Sequence, residues 1–449
     1  MEFRRKAYDE LLEWKVRSEG RSAIMVQGAR RVGKTTLVEK FAREQYRSYV
    51  LIDFSEDDAE IRHIFKECRA DLNMLFNRLQ LKTRIKLYER ESVIIFDEVQ
   101  EFPSAREMIK ILVKDGRYDY IETGSLIHIK TKVSGIRVPS EEHNLDMHPM
   151  DFQEWLWANG ADVTADMLRT TMDGKESVGD VVHRSILRKY AEYMIVGGMP
   201  QAVSAYVQKH DILEVEGIKR DLIDLYRDDI RKIHGRVMER ASDLFDSIPV
   251  LLSSQHKVLS PVKIKTGTRM RDYNAALEWL CDAGIINMCR CYSDPNRATV
   301  LSENESRVKC YLFDTGLLFS LAFRNDMNRL SEAFGLLLDG NLSVNKGMLF
   351  ENMVAQELVS KGYDLWFTEF EKKDSKRKYE VDFILPRISK IVPMEVKSGK
   401  SVPHASLDKL ISKYDDRIEK AYVIHSKDLR VDGKITYVPI YMMQFADWY

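Results

Sequence analysis

The first third of the chain alternates short apolar runs with segments of helical periodicity. Four apolar runs predict strands: Ala23–Val26, Tyr49–Ile52, Val93–Phe96 and Tyr118–Ile121. The first and third runs are apolar almost throughout, which is typical of central strands covered on both faces. Helical periodicity over 61–88 and 105–113 lies between them. This alternation predicts a parallel sheet with helices on both sides.

Three further regions, each with its own pattern of hydrophobic positions, follow the first region, 1–150. Region 151–235 is helical, with one long apolar stripe, and predicts a helical lid. Region 236–305 has three helical segments followed by an alternating strand at Ile285–Tyr292, the order of a small winged helix. Region 306–449 has a helix around Glu351, then strands and a second helix, which predict a separate α/β domain.

The amino-acid composition excludes several classes of protein. The chain has 449 residues, of which 44% are hydrophobic, so a disordered chain is excluded. The 69 lysines and arginines nearly balance 70 aspartates and glutamates, which excludes a polycation that binds nucleic acid by bulk charge but leaves room for local basic surfaces. Five cysteines, an odd number, indicate a reducing compartment. With no apolar stretch long enough for a bilayer, we expect a cytoplasmic protein without a membrane partner.

A glycine-rich loop follows the first predicted strand and leads into a helix. It comprises Gly28, Ala29, Arg30, Arg31, Val32, Gly33, Lys34, Thr35 and Thr36. Glycines let the backbone fold tightly around phosphates, and the helix N-terminus adds its positive end. We expect Lys34 to contact the β- and γ-phosphates and Thr35 to offer its hydroxyl to Mg²⁺. The loop therefore predicts a nucleoside triphosphate site.

Two later strand ends carry residues that suit the same chemistry. Asp97 and Glu98 follow the apolar run 93–96, where Asp97 can hold Mg²⁺ and Glu98 can polarise the attacking water. Thr123-Gly124-Ser125 follows the fourth strand, and a small hydroxyl there is expected to face the γ-phosphate. The predicted catalytic residues are Lys34, Glu98 and Ser125.

Taken together, these motifs resemble those of prokaryotic AAA-like P-loop ATPases that carry a C-terminal restriction-endonuclease-like domain. The matching segments are Gly28–Thr36, Ile95–Gln100, Thr123–Ser125, Pro149–Glu154, Gly197–Pro200, Tyr226–Ile230, Lys309–Leu317, Glu380–Phe383 and Glu395–Lys397. The resemblance implies ATP as the nucleotide and a sensor role for Ser125. It also implies that Pro200 lies near the adenine as part of the lid, whereas the residues alone are equally compatible with a helix-ending turn.

An arginine supplied by a neighbouring copy in a homo-oligomer is a further expectation of this resemblance. Relatives often carry a Gly-Arg pair soon after the sensor, whereas this chain has Gly135-Ile136-Arg137. Arg137 and Arg117 are the candidates, and each is also compatible with an ordinary surface arginine.

The last region holds two acids and a lysine at a characteristic spacing. Glu395 and Lys397 lie two apart on a predicted strand, so they share a face, and Asp382 ends an earlier strand. This resembles the PD-(D/E)XK nuclease core, in which the acids share a Mg²⁺ and the lysine positions water. Glu351 could add a further carboxylate. The alternatives are solvated strand-end charges and a fold kept as a binding platform.

The predicted fold class is α/β: a P-loop NTPase parallel sheet, a helical lid, a winged-helix domain and a PD-(D/E)XK-like domain. Lys263, Lys265, Arg269 and Arg271 cluster near the predicted recognition helix 270–282 and suggest DNA as a partner. The main hypothesis is an ATPase whose nucleotide state rearranges the later domains. The alternatives are a nucleotide-gated interaction switch with little turnover and an ATP-controlled DNA nuclease.

Overall fold

The computed structural model describes residues 1–56, 58–125, 142–294, 302–323, 327–338, 346–372, 378–399 and 401–448. The chain divides into two compact units. The first comprises Met1–His148 with Asp282–Gly284, and the second comprises Pro149–Cys281 with Ile285–Tyr449.

The first unit is built on a five-stranded parallel sheet. Its strands are β1 (Ala23–Gly28), β2 (Ser48–Asp53), β3 (Ser92–Asp97), β4 (Asp119–Ser125) and β5 (Glu142–Asp146). They lie in the order β2-β3-β4-β1-β5, and all four neighbouring pairs run parallel. β3 is buried along its whole length, as its apolar sequence predicts. The predicted parallel sheet is therefore confirmed, with β5 as an additional edge strand.

Helices surround this sheet. They are α1 (Lys6–Ser18), α2 (Lys34–Gln45), α3 (Ala59–Glu67), α4 (Leu72–Thr83), α5 (Pro103–Arg106) and α6 (Ile109–Asp115). The helical periodicity of 61–88 corresponds to two helices, α3 and α4. Asp71 begins the second of these helices, since its carboxylate accepts the amide hydrogen of Met74 at 3.0 Å.

The second unit begins with a long helical stretch. Its helices are α7 (Phe152–Ala158), α8 (Asp162–Gly174), α9 (Asp180–Val196), α10 (Pro200–Lys209), α11 (Ile212–Arg231), α12 (Arg236–Ser253), α13 (Pro261–Ile264), α14 (Asn274–Asp282), α15 (Thr315–Ala322), α16 (Met327–Leu338), α17 (Lys346–Ser360) and α18 (Ala405–Lys413). The helical character predicted for 151–235 matches α7 to α11. Within the described ranges, no helix has both the length and the apolar character that crossing a membrane requires.

Two sheets complete the second unit. Their strands are β6 (Ile286–Tyr292), β7 (Glu303–Leu312), β8 (Trp366–Glu371), β9 (Lys378–Val381), β10 (Phe383–Pro386), β11 (Ile391–Lys397), β12 (Ala421–His425), β13 (Arg430–Asp432) and β14 (Ile435–Pro439). The sheet orders are β7-β6-β8-β9 and β10-β11-β12-β14-β13. Within the second sheet, β10 and β11 are antiparallel, and β11, β12 and β14 are parallel. Asp382, which was expected to end a strand, lies between β9 and β10.

Candidate functional sites

The glycine-rich loop connects β1 to α2 with a backbone that its glycines make possible. Gly33 has a φ of 97°, in the left-handed region, immediately before the first residue of α2. A Cβ on Gly28 would lie only 2.2 Å from the carbonyl oxygen of Met147. The side chains of Ala29 and Val32 are buried, so these two residues can offer a ligand only their backbone. Thr36 is exposed on the first turn of α2.

Lys34 is held inside the loop. Its Nζ donates hydrogen bonds to the carbonyl oxygens of Gly28 at 3.1 Å and Ala29 at 2.9 Å, and the residue is only 5% exposed. Burial lowers the pKa of Lys34 to about 8, an effect that the nearby carboxylates of Glu98 and Asp97 partly oppose. The ammonium group is thus desolvated and positioned beside the loop amides before any phosphate arrives.

Asp97 is the centre of a hydroxyl–carboxylate cluster. The hydroxyl of Thr35 lies 3.0 Å from both carboxylate oxygens of Asp97, and the hydroxyl of Thr123 donates to Oδ1. Burial raises the pKa of Asp97, and the hydrogen bonds from Thr123 and Thr35 oppose that shift. The sequence pointed to Asp97 but did not reveal Thr123 as its partner, which the parallel pairing of β3 with β4 brings into reach.

The residues at this position fit a magnesium ion. The hydroxyl of Thr35 and the carboxylate of Asp97 are hard oxygen ligands of the kind that Mg²⁺ prefers, and they are already in contact. They lie beside Lys34 and the loop, where a triphosphate would supply the remaining oxygen ligands. Thr35 and Asp97 are thus the residues that would hold the ion.

Glu98 and Ser125 lie at the same edge of the sheet. Glu98 has a left-handed backbone, with φ 48°, and its amide donates to the hydroxyl of Thr123 at 3.3 Å. Its carboxylate accepts a hydrogen bond from the side-chain amide of Gln100, a contact that the sequence did not reveal. Ser125 is buried opposite Gly28 in the β1–β4 register. The two side chains therefore lie at strand ends next to the loop.

Arg5 supports the loop from before α1, and no sequence motif pointed to it. Its Nη1 donates to the carbonyl oxygen of Val32 at 2.9 Å, and its Nη2 donates to that of His148 at 2.7 Å. The residue is buried. One guanidinium group therefore joins the loop to the chain just beyond β5.

Pro200 and its two preceding glycines lie in the second unit. Pro200 is in the first turn of α10, where its fixed φ suits a helix start. The amide of Gly198 donates to the carboxylate of Asp314 at 2.7 Å, and its carbonyl accepts from the amide of Met150 at 2.7 Å. These contacts explain Gly198 by close packing against the backbone of Met150. That Pro200 lies near the adenine stays a prediction.

The structure describes one of the two candidate arginines. Arg137 lies outside the described residues. Arg117 is bound within its own chain: its Nε donates to Asp115 at 2.7 Å, its Nη1 donates to Asn73 at 2.7 Å, and its guanidinium lies 4.6 Å from the ring centre of Phe76. These contacts account for Arg117 as a structural side chain of the first unit.

The four residues singled out near the C-terminus do converge. The backbone amide of Val396 donates to Asp382 at 2.8 Å, and Lys397 donates to Glu395 at 2.6 Å. Glu351 of α17 belongs to the same cluster through Lys309, whose Nζ lies 3.4 Å from Glu351 and 3.9 Å from Asp382. Burial, then the negative charge of Asp382, raises the pKa of Glu395 to about 8. Lys309 opens the segment Lys309–Leu317, and the sequence did not reveal its contact with these acids.

Comparison with protein families divides the chain into three matched segments. Residues 20–156 match the model described as AAA domain. Residues 187–328 match a domain of unknown function (DUF8612), and residues 346–443 match another (DUF4143). None of the curated proteins matches the chain.

Solved structures give distant likenesses. An Orc1 protein of Aeropyrum pernix in complex with DNA is 12% identical, with 72% of this chain and 93% of that chain covered and a TM-score of 0.28. PCH-2 of C. elegans is 13% identical, with 48% and 66% covered and a TM-score of 0.27. A signal-transduction ATPase with a tetratricopeptide-repeat sensor from Pyrococcus horikoshii is 12% identical, with 81% and 50% covered and a TM-score of 0.25.

These TM-scores are too low to assign the fold of the whole chain, so the assignment depends on the parallel sheet, the loop geometry and the family match. All three concern the same segment. Residues 20–156 match an AAA domain and contain the parallel sheet and the glycine-rich loop.

Proposed function

We propose that this chain binds ATP at the loop Gly28–Thr36 and hydrolyses it. The observation that carries the proposal is the clustering of an ammonium, a hydroxyl and two carboxylates at one edge of the sheet. Lys34 is buried beside the loop carbonyls, Thr35 contacts Asp97, and Glu98 follows directly. Phosphate binding needs positive groups, whereas hydrolysis needs a base next to them, and this edge supplies both.

Each residue has a role in this proposal that follows from its position. The amides of the loop and the ammonium of Lys34 grip the β- and γ-phosphates. Glu98 accepts the proton of the attacking water, and the hydroxyl of Ser125 orients toward the γ-phosphate. A magnesium ion held by Thr35 and Asp97 neutralises charge on the phosphate oxygens when it is bound. Gln100 holds the Glu98 carboxylate in the conformation seen here.

Steady-state phosphate release tests hydrolysis and separates it from a nucleotide-gated switch with little turnover. Glu98→Gln keeps the shape of the side chain but removes the base, so we expect ATP binding to persist while release falls at least about 100-fold. Glu107→Gln is the matched control, because Glu107 is a surface residue paired with Arg69 in the same unit. Equal release by Glu98→Gln and wild type would remove Glu98 from the mechanism. Negligible release by wild type that still binds ATP would favour the switch.

A nuclease-like fold is our proposal for the C-terminal region. Helix α17 precedes the mixed sheet, α18 lies between β11 and β12, and Asp382, Glu395 and Lys397 meet at the point where β10 and β11 pair. This order of elements and the converging charges support a PD-(D/E)XK-like domain. They do not by themselves supply an activity, since a fold can persist without its chemistry.

DNA is proposed as a second partner on one specific observation. Lys263, Lys265, Arg269 and Arg271 are all exposed, and they lie just before α14. The helices α12 to α14 followed by the antiparallel strands β6 and β7 have the element order of a winged helix. Cations at the start of such a helix are placed to contact phosphates.

Salt dependence of DNA binding tests this surface. Each phosphate contact that is lost should reduce the slope of log affinity against log salt by about one. We therefore expect Lys263→Ala with Arg271→Ala to reduce the slope by about two in fluorescence anisotropy with a duplex. Lys434→Ala is the control, because that lysine pairs with Asp415 elsewhere in the same unit. An unchanged slope in the double variant would exclude this surface.

A further inference from the structure

A lysine, rather than a group of free acids, lies at the centre of the C-terminal charge cluster. Lys309 of β7 is fully buried, and its Nζ lies 2.6 Å from a carboxylate oxygen of Glu380. The same Nζ lies 3.4 Å from Glu351 Oε1 and 3.9 Å from Asp382 Oδ1. Three carboxyl groups from α17, β9 and the β9–β10 connection therefore surround one ammonium group.

Neighbouring donors engage several of the other carboxylate oxygens, whereas Oε2 of Glu395 is buried without a hydrogen-bond partner among the described residues. Lys257 donates to the second oxygen of Glu351, and the hydroxyl of Tyr311 donates to the first at 2.5 Å. The two acids nearest the expected metal position are each engaged through one oxygen, Asp382 Oδ2 by the amide of Val396 and Glu395 Oε1 by Lys397. The cluster thus brings three ammonium groups to four carboxyl groups.

This arrangement does not fit a divalent cation. Mg²⁺ needs oxygen ligands in near-octahedral geometry and is dehydrated only with difficulty, and a neighbouring ammonium group repels it. A cation bound to Asp382 Oδ1 would lie close to the ammonium group of Lys309, and a cation bound to Glu395 would lie close to that of Lys397. Among the residues that the structure describes, no group of three or more histidine, cysteine or acidic side chains is placed to hold a metal ion.

We infer that the ammonium group of Lys309 stands in place of the divalent cation of a nuclease, so that these acids form a metal-free, charge-compensated core. Ion pairs of the cluster join β7, α17 and β9, and the hydrogen bond from the Val396 amide links β11 to Asp382. The pKa directions agree with this arrangement of charges. Burial favours the neutral form of Glu351, but Lys257 and Lys309 hold its pKa at about 2. Burial also favours the neutral form of Lys309, but the surrounding carboxylates raise its pKa. The nuclease-like region then acts as a scaffold or binding surface.

Binding of Mn²⁺ to the full chain without nucleotide tests the inference, because electron paramagnetic resonance reports free Mn²⁺ directly. We expect wild type and Asp382→Asn to bind equal amounts of Mn²⁺. We also expect Lys309→Ala to bind one additional ion per chain, since removal of the ammonium group leaves the carboxylates uncompensated. Lys434→Ala is the control for the loss of one lysine charge elsewhere in the same unit, because Lys434 pairs with Asp415.

Two results would overturn the inference. One is Mn²⁺ binding by wild type that Asp382→Asn abolishes. The other is a folded Lys309→Ala chain, judged by circular dichroism, that binds no more Mn²⁺ than wild type. If Lys309→Ala does not fold, the comparison of wild type with Asp382→Asn decides alone. Because no ATP is present, the outcome is independent of the proposed ATPase activity.

Discussion

Replacing Gly198 by alanine separates a packing role of the segment Gly197–Pro200 from a role in nucleotide binding. A Cβ at position 198 would lie 2.1 Å from the carbonyl oxygen of Met150 and 2.8 Å from its amide nitrogen. Both atoms are backbone, so no side chain can rotate away and the chain itself must shift. The shift disturbs two hydrogen bonds of Gly198, one from its amide to Asp314 and one from Met150 to its carbonyl.

The expected cost follows from these contacts. Overpacking in a buried site typically costs about 1–3 kcal/mol. Weakening a hydrogen bond to a charged group adds about 1.5 kcal/mol or more. We therefore expect Gly198→Ala to destabilise the second unit by about 3–4 kcal/mol. Gly217→Ala is the matched control, because nothing lies within 4 Å of a Cβ placed there on α11. That variant should gain about 0.5–1 kcal/mol from alanine's higher helix propensity.

Urea unfolding monitored by hydrogen exchange of the peptide 186–200 measures this difference in the second unit alone. ATP affinity of the folded variant is measured in parallel by calorimetry. We expect lower protection in Gly198→Ala, higher protection in Gly217→Ala and unchanged ATP affinity in both. Wild-type protection of Gly198→Ala, together with lost ATP binding, would refute the packing argument and favour a direct contact with the nucleotide.

Three further predictions concern single side chains. Arg5→Met removes two charge-assisted hydrogen bonds, one of them to the carbonyl of Val32 in the loop. We expect this change to raise the ATP Kd about tenfold or more. An unchanged Kd would count against a supporting role of Arg5 in the loop. Arg117→Ala should lower the melting temperature but leave phosphate release per folded chain unchanged, since its partners are intramolecular; lost release would restore a trans role. His425 accepts the Lys427 amide at Nδ1, and burial lowers its pKa to about 4 from 6.5. The stability that it contributes is present above pH 6.5 and is lost as the pH falls toward 4. His425→Gln should therefore reduce the change in the free energy of unfolding over that window by up to about 3 kcal/mol, as measured by urea unfolding, whereas an identical pH profile would contradict the shift.

Local patterns in the sequence were sufficient for the parallel sheet and the loop. The strand, the loop and the start of α2 are contiguous, so one stretch of sequence contains the whole phosphate motif. β5 had no such signal, because Leu145 is the one buried residue in the polar run Glu142–Asp146. The division of 61–88 into two helices depended on a side-chain cap at Asp71, which the hydrophobic period does not report.

Residues that act through distant partners could not be recognised from the sequence. Arg5 contacts His148, and Lys309 contacts Glu380, and in each case the partner is far away along the chain. The spacing of Glu395 and Lys397 suggested a metal site because it recorded only the strand alternation. It did not reveal that β7 brings an ammonium group into the centre of the acids. The need for glycine at position 198 likewise depended on the position of Met150, and that at position 197 on the side chain of Asp314.

Isothermal titration of the full chain with ATP in magnesium buffer tests the central claim most directly. The account predicts saturable binding of one ATP per wild-type chain and no measurable binding by Lys34→Ala, because that substitution removes the buried ammonium group beside the loop. Absence of binding by wild type, or equal binding by a folded Lys34→Ala chain, would contradict it.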